Sequence, residues 1–173
     1  MSAADLAAGG VDHAALTVRD LDVSQEFYHR VLGLTPVFDF GTTRILIHRR
    51  TGFTLALVHH DDQEPGGFAH TRVGLDHLGF GVDTRATLVR WEQHLRDMAV
   101  VFTPIRDMEF GHHLNFRDPD DIALELSAPN DLQRQALELL AANDLTDDQL
   151  RAAAGEHFGM GDLLAAADAR PRS

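Results

Sequence analysis

Cysteine is missing from all 173 residues. That removes a disulfide framework, a thiolate nucleophile and a thiolate metal ligand from consideration, and it suits an intracellular chain. Positive charge is scarce as well. The 15 Lys and Arg face 27 Asp and Glu, a formal charge of -12 that repels phosphate backbones and anionic lipid at long range. Neither nucleic acid nor a membrane is therefore an expected partner. No apolar run approaches the roughly 20 residues that span a bilayer. The opening MSAADLAAGG has neither the basic flank nor the apolar stretch of a secretory signal. What remains is 44% hydrophobic, enough for a sizeable core in one globular domain, and the expectation is a soluble cytoplasmic protein.

What is present is an internal repeat. VDHAALTVRDLDVSQEFYHRVLGLTPVF lies over LDHLGFGVDTRATLVRWEQHLRDMAVVF without a gap, so that Asp12 and His13 fall on Asp76 and His77, and Phe27 on Trp91. Each copy opens with alternation of period two and continues with helical spacing: Val23, Phe27, Val31 and Leu34 in one, Leu88, Trp91, Leu95 and Met98 in the other. TRILIHRR and FTLALVHH come next in the first half, HHLNF and IALEL in the second, parted by turn signals at RTG and DPDD. The expected fold is α+β, a βαβββ unit present twice. Residues 1–10 form a flexible start, 11–62 the first module, 63–75 a linker loop, 76–129 the second module, and 130–173 a helical extension with a frayed tail. Within that extension TDDQ, Thr146 to Gln149, resembles a capping box, and Gly155 is a candidate helix end.

Strand side chains alternate between faces, so each strand sorts into two rows. One row holds Leu16, Leu55, Leu57, Leu78, Phe80, Leu114, Leu124 and Leu126, an ordinary core under the helices. The other holds His13, Ala15, Thr17, Thr54, Ala56, His77, Gly79, Gly81, His113, Asn115, Ala123 and Glu125. Such small and polar side chains cannot fill an interior to native density, so this face meets another surface or encloses a cavity. One strand histidine is ordinarily just a hydrogen-bonded residue. Two at the same repeat position, with a carboxylate on the same face of a third strand, point to a divalent metal: imidazole nitrogen and carboxylate oxygen suit Fe(II), Mn(II), Co(II), Ni(II) or Zn(II). His13, His77 and Glu125 are the expected ligands. The formal charge of the set with its ion, +1, favours an anionic chelating substrate. Ala15, Thr54, Ala56, Gly79, Asn115 and Ala123 are expected to line the pocket.

DHAALTVRDLDVSQEFYHRVLGL, DHLGFGV and FRDPDDIALEL resemble the vicinal oxygen chelate superfamily, which includes glyoxalase I, type I extradiol dioxygenases, fosfomycin-resistance transferases, methylmalonyl-CoA epimerases and bleomycin-binding proteins. The resemblance covers residues 11 to 128 and implies two modules forming a half-barrel around one divalent metal ion. Four ligand positions are then available: His13, Ala56, His77 and Glu125. With alanine at the second, the pattern is the two-histidine, one-glutamate set of the extradiol and fosfomycin enzymes. The basic potassium-binding loop of the latter has no counterpart in IRDMEFGHHLNF, and Asn115 stands where extradiol enzymes place a tyrosine. Asp121 occupies the family's usual glycine position, which aspartate tolerates in a left-handed turn.

The resemblance implies a metal-dependent enzyme on a small-molecule substrate, its leading variant a ring-cleaving extradiol-type dioxygenase with Fe(II). His113, and His70 from a loop over the pocket, would move protons. A metal-dependent isomerase, lyase or transferase of the glyoxalase type is the nearest variant, and a non-catalytic bleomycin-resistance-like binding protein the reading from another class. The superfamily builds its half-barrel from two modules either within one chain or across a dimer; a homodimer is expected by this analogy, and in the second arrangement His13 would come from one subunit and His77 with Glu125 from the other. His112 is expected to point away from His113. His59 and His60 are expected in a solvated loop; His29, His48, His94 and His157 on the surface; and Tyr28 in packing or an interface.

Overall fold

The computed structural model describes residues 11–109, 111–142, 146, 148–149, 151–152 and 155. The expected flexible start, the frayed tail and His157 lie outside them. In chain order the elements are β1 (His13–Thr17), α1 (Leu21–Leu32), β2 (Thr35–Asp39), β3 (Thr43–Ile47), β4 (Thr54–Val58), β5 (Leu78–Gly81), α2 (Arg85–Asp97), β6 (Arg106–Met108), β7 (Gly111–Arg117), β8 (Ala123–Ala128) and α3 (Asp131–Ala142). The order βαβββ occurs twice and a helix comes after it, so the chain is α+β as its periodicities require. The sheets run β1-β4-β3-β2 and β5-β8-β7-β6. By compactness the described residues form two units. The first runs to Leu78 and adds Gln93–Thr103 and Asn115–Glu125; the second holds Gly79–Glu92, Pro104–Leu114 and the residues from Leu126 onward.

In the first unit β1 pairs with β4 in parallel, while β3 pairs antiparallel with both β4 and β2. Leu46, Leu55 and Leu57 on one face are fully buried, and α1 packs on β3 and β4. Asp20 starts α1 by accepting hydrogen bonds from the amides of Asp22 and Val23. Gly33 ends it at φ 70, in the left-handed region, donating to the His29 carbonyl while Leu34 donates to that of Tyr28. The expected helix stripe holds at Val31 and Leu34, which are buried, and is corrected at Val23. Val23 is 50% exposed, whereas Ser24 and Tyr28 are fully buried, because both spend their hydroxyls on the turn between β7 and β8. Tyr28 donates to Asp118 Oδ2 at 2.8 Å, and Ser24 to Asp120 Oδ2 at 3.2 Å. Arg19 adds its backbone amide and Nε to the Asp120 carboxylate. Asp118 also accepts the amides of Asp120 and Ile122, and Asp121 completes the turn at φ 65, the left-handed geometry expected of it.

In the second unit β6 and β7 pair antiparallel, with Arg106 opposite His113 and Asp107 opposite His112. Arg85, at the start of α2, makes a two-pronged ion pair with Asp107, and His112 Nδ1 shares that carboxylate at 2.7 Å. These partners hold the Asp107 carboxyl down at about 2. Asn130 begins α3: its oxygen accepts the Gln133 amide and its nitrogen donates to the Glu109 carbonyl. Further on, Thr146 and Gln149 exchange bonds between side chain and backbone, the capping box read from TDDQ, and Gly155 is itself helical; the helix end expected there falls on residues outside the described ones. No helix among the described residues is long and apolar enough to cross a membrane.

Candidate functional site

The register of the first sheet fixes which side chains share the face turned away from α1. His13 lies opposite Thr54, which lies opposite Ile47; Ala15 lies opposite Ala56, which lies opposite Ile45. Ala15 is exposed and Thr54 half-buried, but Ala56 is only 8% exposed, being flanked by Ala15 and Ile45. At the outer edge β2 carries an irregularity: Pro36 pairs with Leu46 and Phe38 with Ile45, so Val37 is an extra residue. Such a bulge reverses the facing of the residues beyond it. Phe38 joins Ile45 on the outward face instead of the helix side, and Phe40 does the same two residues on. Their rings stack 5.9 Å apart and are 60% and 68% exposed. The polar middle of the face thus has an aromatic rim.

The second sheet shows the same division. In β8 Leu124, Leu126 and Ala128 are buried while Ala123, Glu125 and Ser127 are half-buried. In β7 Leu114 and Phe116 are buried, with half-buried His113 and Asn115 on the opposite row. His112 falls on the row opposite His113, as expected, and is taken up by Asp107. Gly79 and Gly81 of β5 are exposed.

Each expected histidine ligand is held by the residue before it. His13 Nδ1 lies 2.9 Å from Asp12 Oδ2, and His77 Nδ1 lies 2.7 Å from Asp76 Oδ1. The bond from His77 is the main reason that the Asp76 carboxyl sits below its ordinary value. A carboxylate can only accept, so such a contact calls for the hydrogen on Nδ1, which in an uncharged imidazole leaves the lone pair on Nε2. Two such nitrogens and the Glu125 carboxylate make a nitrogen–nitrogen–oxygen donor set that fits a first-row divalent ion. One chain does not bring the three together: among the described residues no three His, Cys, Asp or Glu side chains are gathered to hold a metal ion.

The other histidines divide by their partners. His70 is exposed in the loop before β5. His59 is half-buried rather than solvated, its Nδ1 3.2 Å from the Val18 carbonyl. His94 is likewise half-buried, with Nε2 3.0 Å from the Val31 carbonyl; His29 Nδ1 lies 2.8 Å from the Leu34 carbonyl, and His48 pairs with Thr51. Sequence reasoning missed Asp12, Asp76, Phe38 and Phe40. The two aspartates were visible as a repeated Asp-His pair, whereas nothing in the strand pattern of TPVFD announces the bulge.

The model of the Glyoxalase/Bleomycin resistance protein/Dioxygenase superfamily matches residues 10–126. Among solved structures the chain is similar to a glyoxylase/bleomycin resistance protein/dioxygenase domain from Frankia sp. EAN1pec, with 36% identity, 72% of this chain and 100% of that one covered, and a TM-score of 0.66. It shares its fold with a mutant of the fosfomycin resistance protein FosX from Listeria monocytogenes complexed with Mn(II) and 1S,2S-dihydroxypropylphosphonic acid (18% identity, 74% and 96% covered, TM-score 0.57). The fold also matches a lactoylglutathione lyase from Agrobacterium tumefaciens (21%, 70% and 94%, TM-score 0.57). No curated protein matches the chain.

Proposed function

The chain belongs to the Glyoxalase/Bleomycin resistance protein/Dioxygenase superfamily, and on that premise we propose that it is a divalent-metal-dependent enzyme binding two adjacent oxygens of a small substrate, with extradiol-type ring cleavage on Fe(II) as its leading reaction. The observation that carries this is the matched pair of histidines, each with Nδ1 within hydrogen-bond distance of the carboxylate of the residue before it. His13, His77 and Glu125 are the residues that would hold the ion. Because these do not gather within one chain, the reading takes His13 from one subunit of a homodimer and His77 with Glu125 from the other, in the cytoplasm.

When bound, the ion supplies a lowered pKa at the substrate hydroxyls and holds both reactants within reach. The protein does the rest. His113 takes the substrate proton from its place on the Glu125 side of the sheet, and His70 shields the pocket from its loop and relays protons to solvent. Ala15, Thr54, Ala56, Gly79, Asn115 and Ala123 leave the substrate room. Phe38 and Phe40 give its flat apolar part a stacking surface, which favours a catecholic ring over a small aliphatic diol.

Asn115, in place of an expected tyrosine, favours a second reading, a metal-dependent isomerase or lyase using the same chelation. Anaerobic purification with metal analysis, then oxygen-uptake assays over catechols and small dicarbonyls, separates the two. Iron-dependent uptake that disappears in His13→Ala and Glu125→Ala supports the dioxygenase. Metal-dependent turnover without uptake supports the isomerase or lyase, and stoichiometric ligand binding by an inert, metal-free preparation overturns both.

A further inference from the structure

We propose that Asp12 and Asp76 are positioning residues that lock His13 and His77 in the Nδ1–H tautomer, so that Nε2 of each ring is the nitrogen presented to a ligand-seeking cation. The inference rests on the metal-site reading for its purpose, though not for its geometry.

Neighbouring residues in a regular strand point to opposite faces and do not normally bond. These pairs do so because they stand where the strands begin: β1 starts at His13, and β5 starts at Leu78, just after His77. There the chain is still free to turn an aspartate back onto the next ring. The same bond arises twice, at 2.9 Å and 2.7 Å, from positions that the repeat superposes. A chance rotamer has no reason to recur in two modules whose other side chains differ so widely.

The contrast with the remaining histidines sharpens the assignment. His29, His59 and His94 lie against backbone carbonyls, and His48 against a threonine hydroxyl. His112 also meets a carboxylate, but that of Asp107 is already neutralised by the two-pronged Arg85 contact. Asp12 and Asp76 make no such two-pronged pair in their bonds to the rings; His70 and Arg117 act on Asp76 less than His77 does, so the histidine is the main partner of that carboxylate. A carboxylate so placed fixes the ring's rotation and makes the opposite nitrogen a better electron donor, the arrangement that metal-binding histidines generally require. Both aspartates are well exposed, at 96% and 74% of their side chains, so replacing them removes the bond without opening the core.

The test begins on the metal-free protein, where long-range proton–nitrogen NMR of labelled imidazoles reads the tautomer directly. The expected result is Nδ1–H at His13 and His77 in the wild type, and a shift to Nε2–H in Asp12→Ala and Asp76→Ala. Asp12→Asn and Asp76→Asn, whose amide oxygen still accepts, should retain Nδ1–H. Cobalt(II) titration monitored by visible absorption should then show affinity lowered about 10- to 100-fold in the alanine variants and by less in the asparagine ones. Wild-type rings in the Nε2–H form, or alanine variants unchanged in tautomer or in cobalt affinity, overturn the proposal. A wild type that takes up no cobalt yet shows the expected tautomers overturns the metal-site reading and leaves the tautomer assignment supported.

Discussion

The phenol of Tyr28 donates to the buried carboxylate of Asp118 at 2.8 Å across 90 positions of sequence. This bond ties the middle of α1 to the turn between β7 and β8. Tyr28→Phe leaves that oxygen without its donor in a site water does not reach, at a cost of about 1–3 kcal/mol. Urea unfolding should show a lowered midpoint with an unchanged slope; an unchanged midpoint would remove the bond from the forces that hold α1.

The same carboxyl gives a pH signature. Burial, only partly offset by the Tyr28 hydroxyl and the Ile122 and Asp120 amides, raises Asp118 from 3.8 to about 6, with neighbouring Asp120 adding to the rise. The folded chain thus holds this proton more tightly than the unfolded one. The resulting stability is fully present below about pH 4 and is lost as pH rises through 6, a swing of about 3 kcal/mol for two pH units. Asp118→Asn does not titrate, so its unfolding midpoint should gain on the wild type between pH 4 and pH 7. Parallel profiles for the two proteins would refute this.

A shared metal site has a signature in mixing. His13→Ala and Glu125→Ala homodimers should each bind no metal, yet unfolding and refolding them together should restore about a quarter of wild-type sites. Half of the dimers are then mixed, and one of the two sites in each has all its ligands. Metal counting on the refolded mixture checks this, and zero recovery from correctly dimeric protein would mean that the site is not shared.

The aromatic rim is predicted to act on substrate and not on folding. Phe38→Ala and Phe40→Ala remove side chains that are mostly exposed, so the unfolding free energy should change by less than about 0.5 kcal/mol. KM for an aromatic substrate should rise several-fold while kcat changes little, since a stacking surface binds ground state and transition state alike. A fall in kcat at constant KM would point to a role in the chemistry instead.

The strands were legible because Leu114, Phe116, Leu124 and Leu126 alternate with smaller or polar neighbours, and a period of two survives any tertiary detail. α1 was legible as a helix but not in its rotation. Hydropathy favoured Val23, whereas Ser24 and Tyr28 face inward, because their burial depends on Asp118 and Asp120 far along the chain. No local window contains that information. Phe38 and Phe40 were hidden for the opposite reason: the extra residue in β2 is local, but it shows only in the pairing with β3. The proposed ligand histidines stood out by their repeat, and the bond from each to its preceding aspartate is a matter of rotation about single bonds that spacing does not encode.

The bulge at Val37 makes the outer wall of the sheet adjustable by one amino acid. Drawing that residue into the ladder opposite Ile45 would turn Asp39 toward the solute and Phe38 toward the helix, exchanging an oily border for an acidic one without touching a single proposed ligand. A lineage built on this scaffold can therefore change the molecules it accepts by shifting the pairing of one edge strand by a single position, and the ion-holding centre need never be rebuilt.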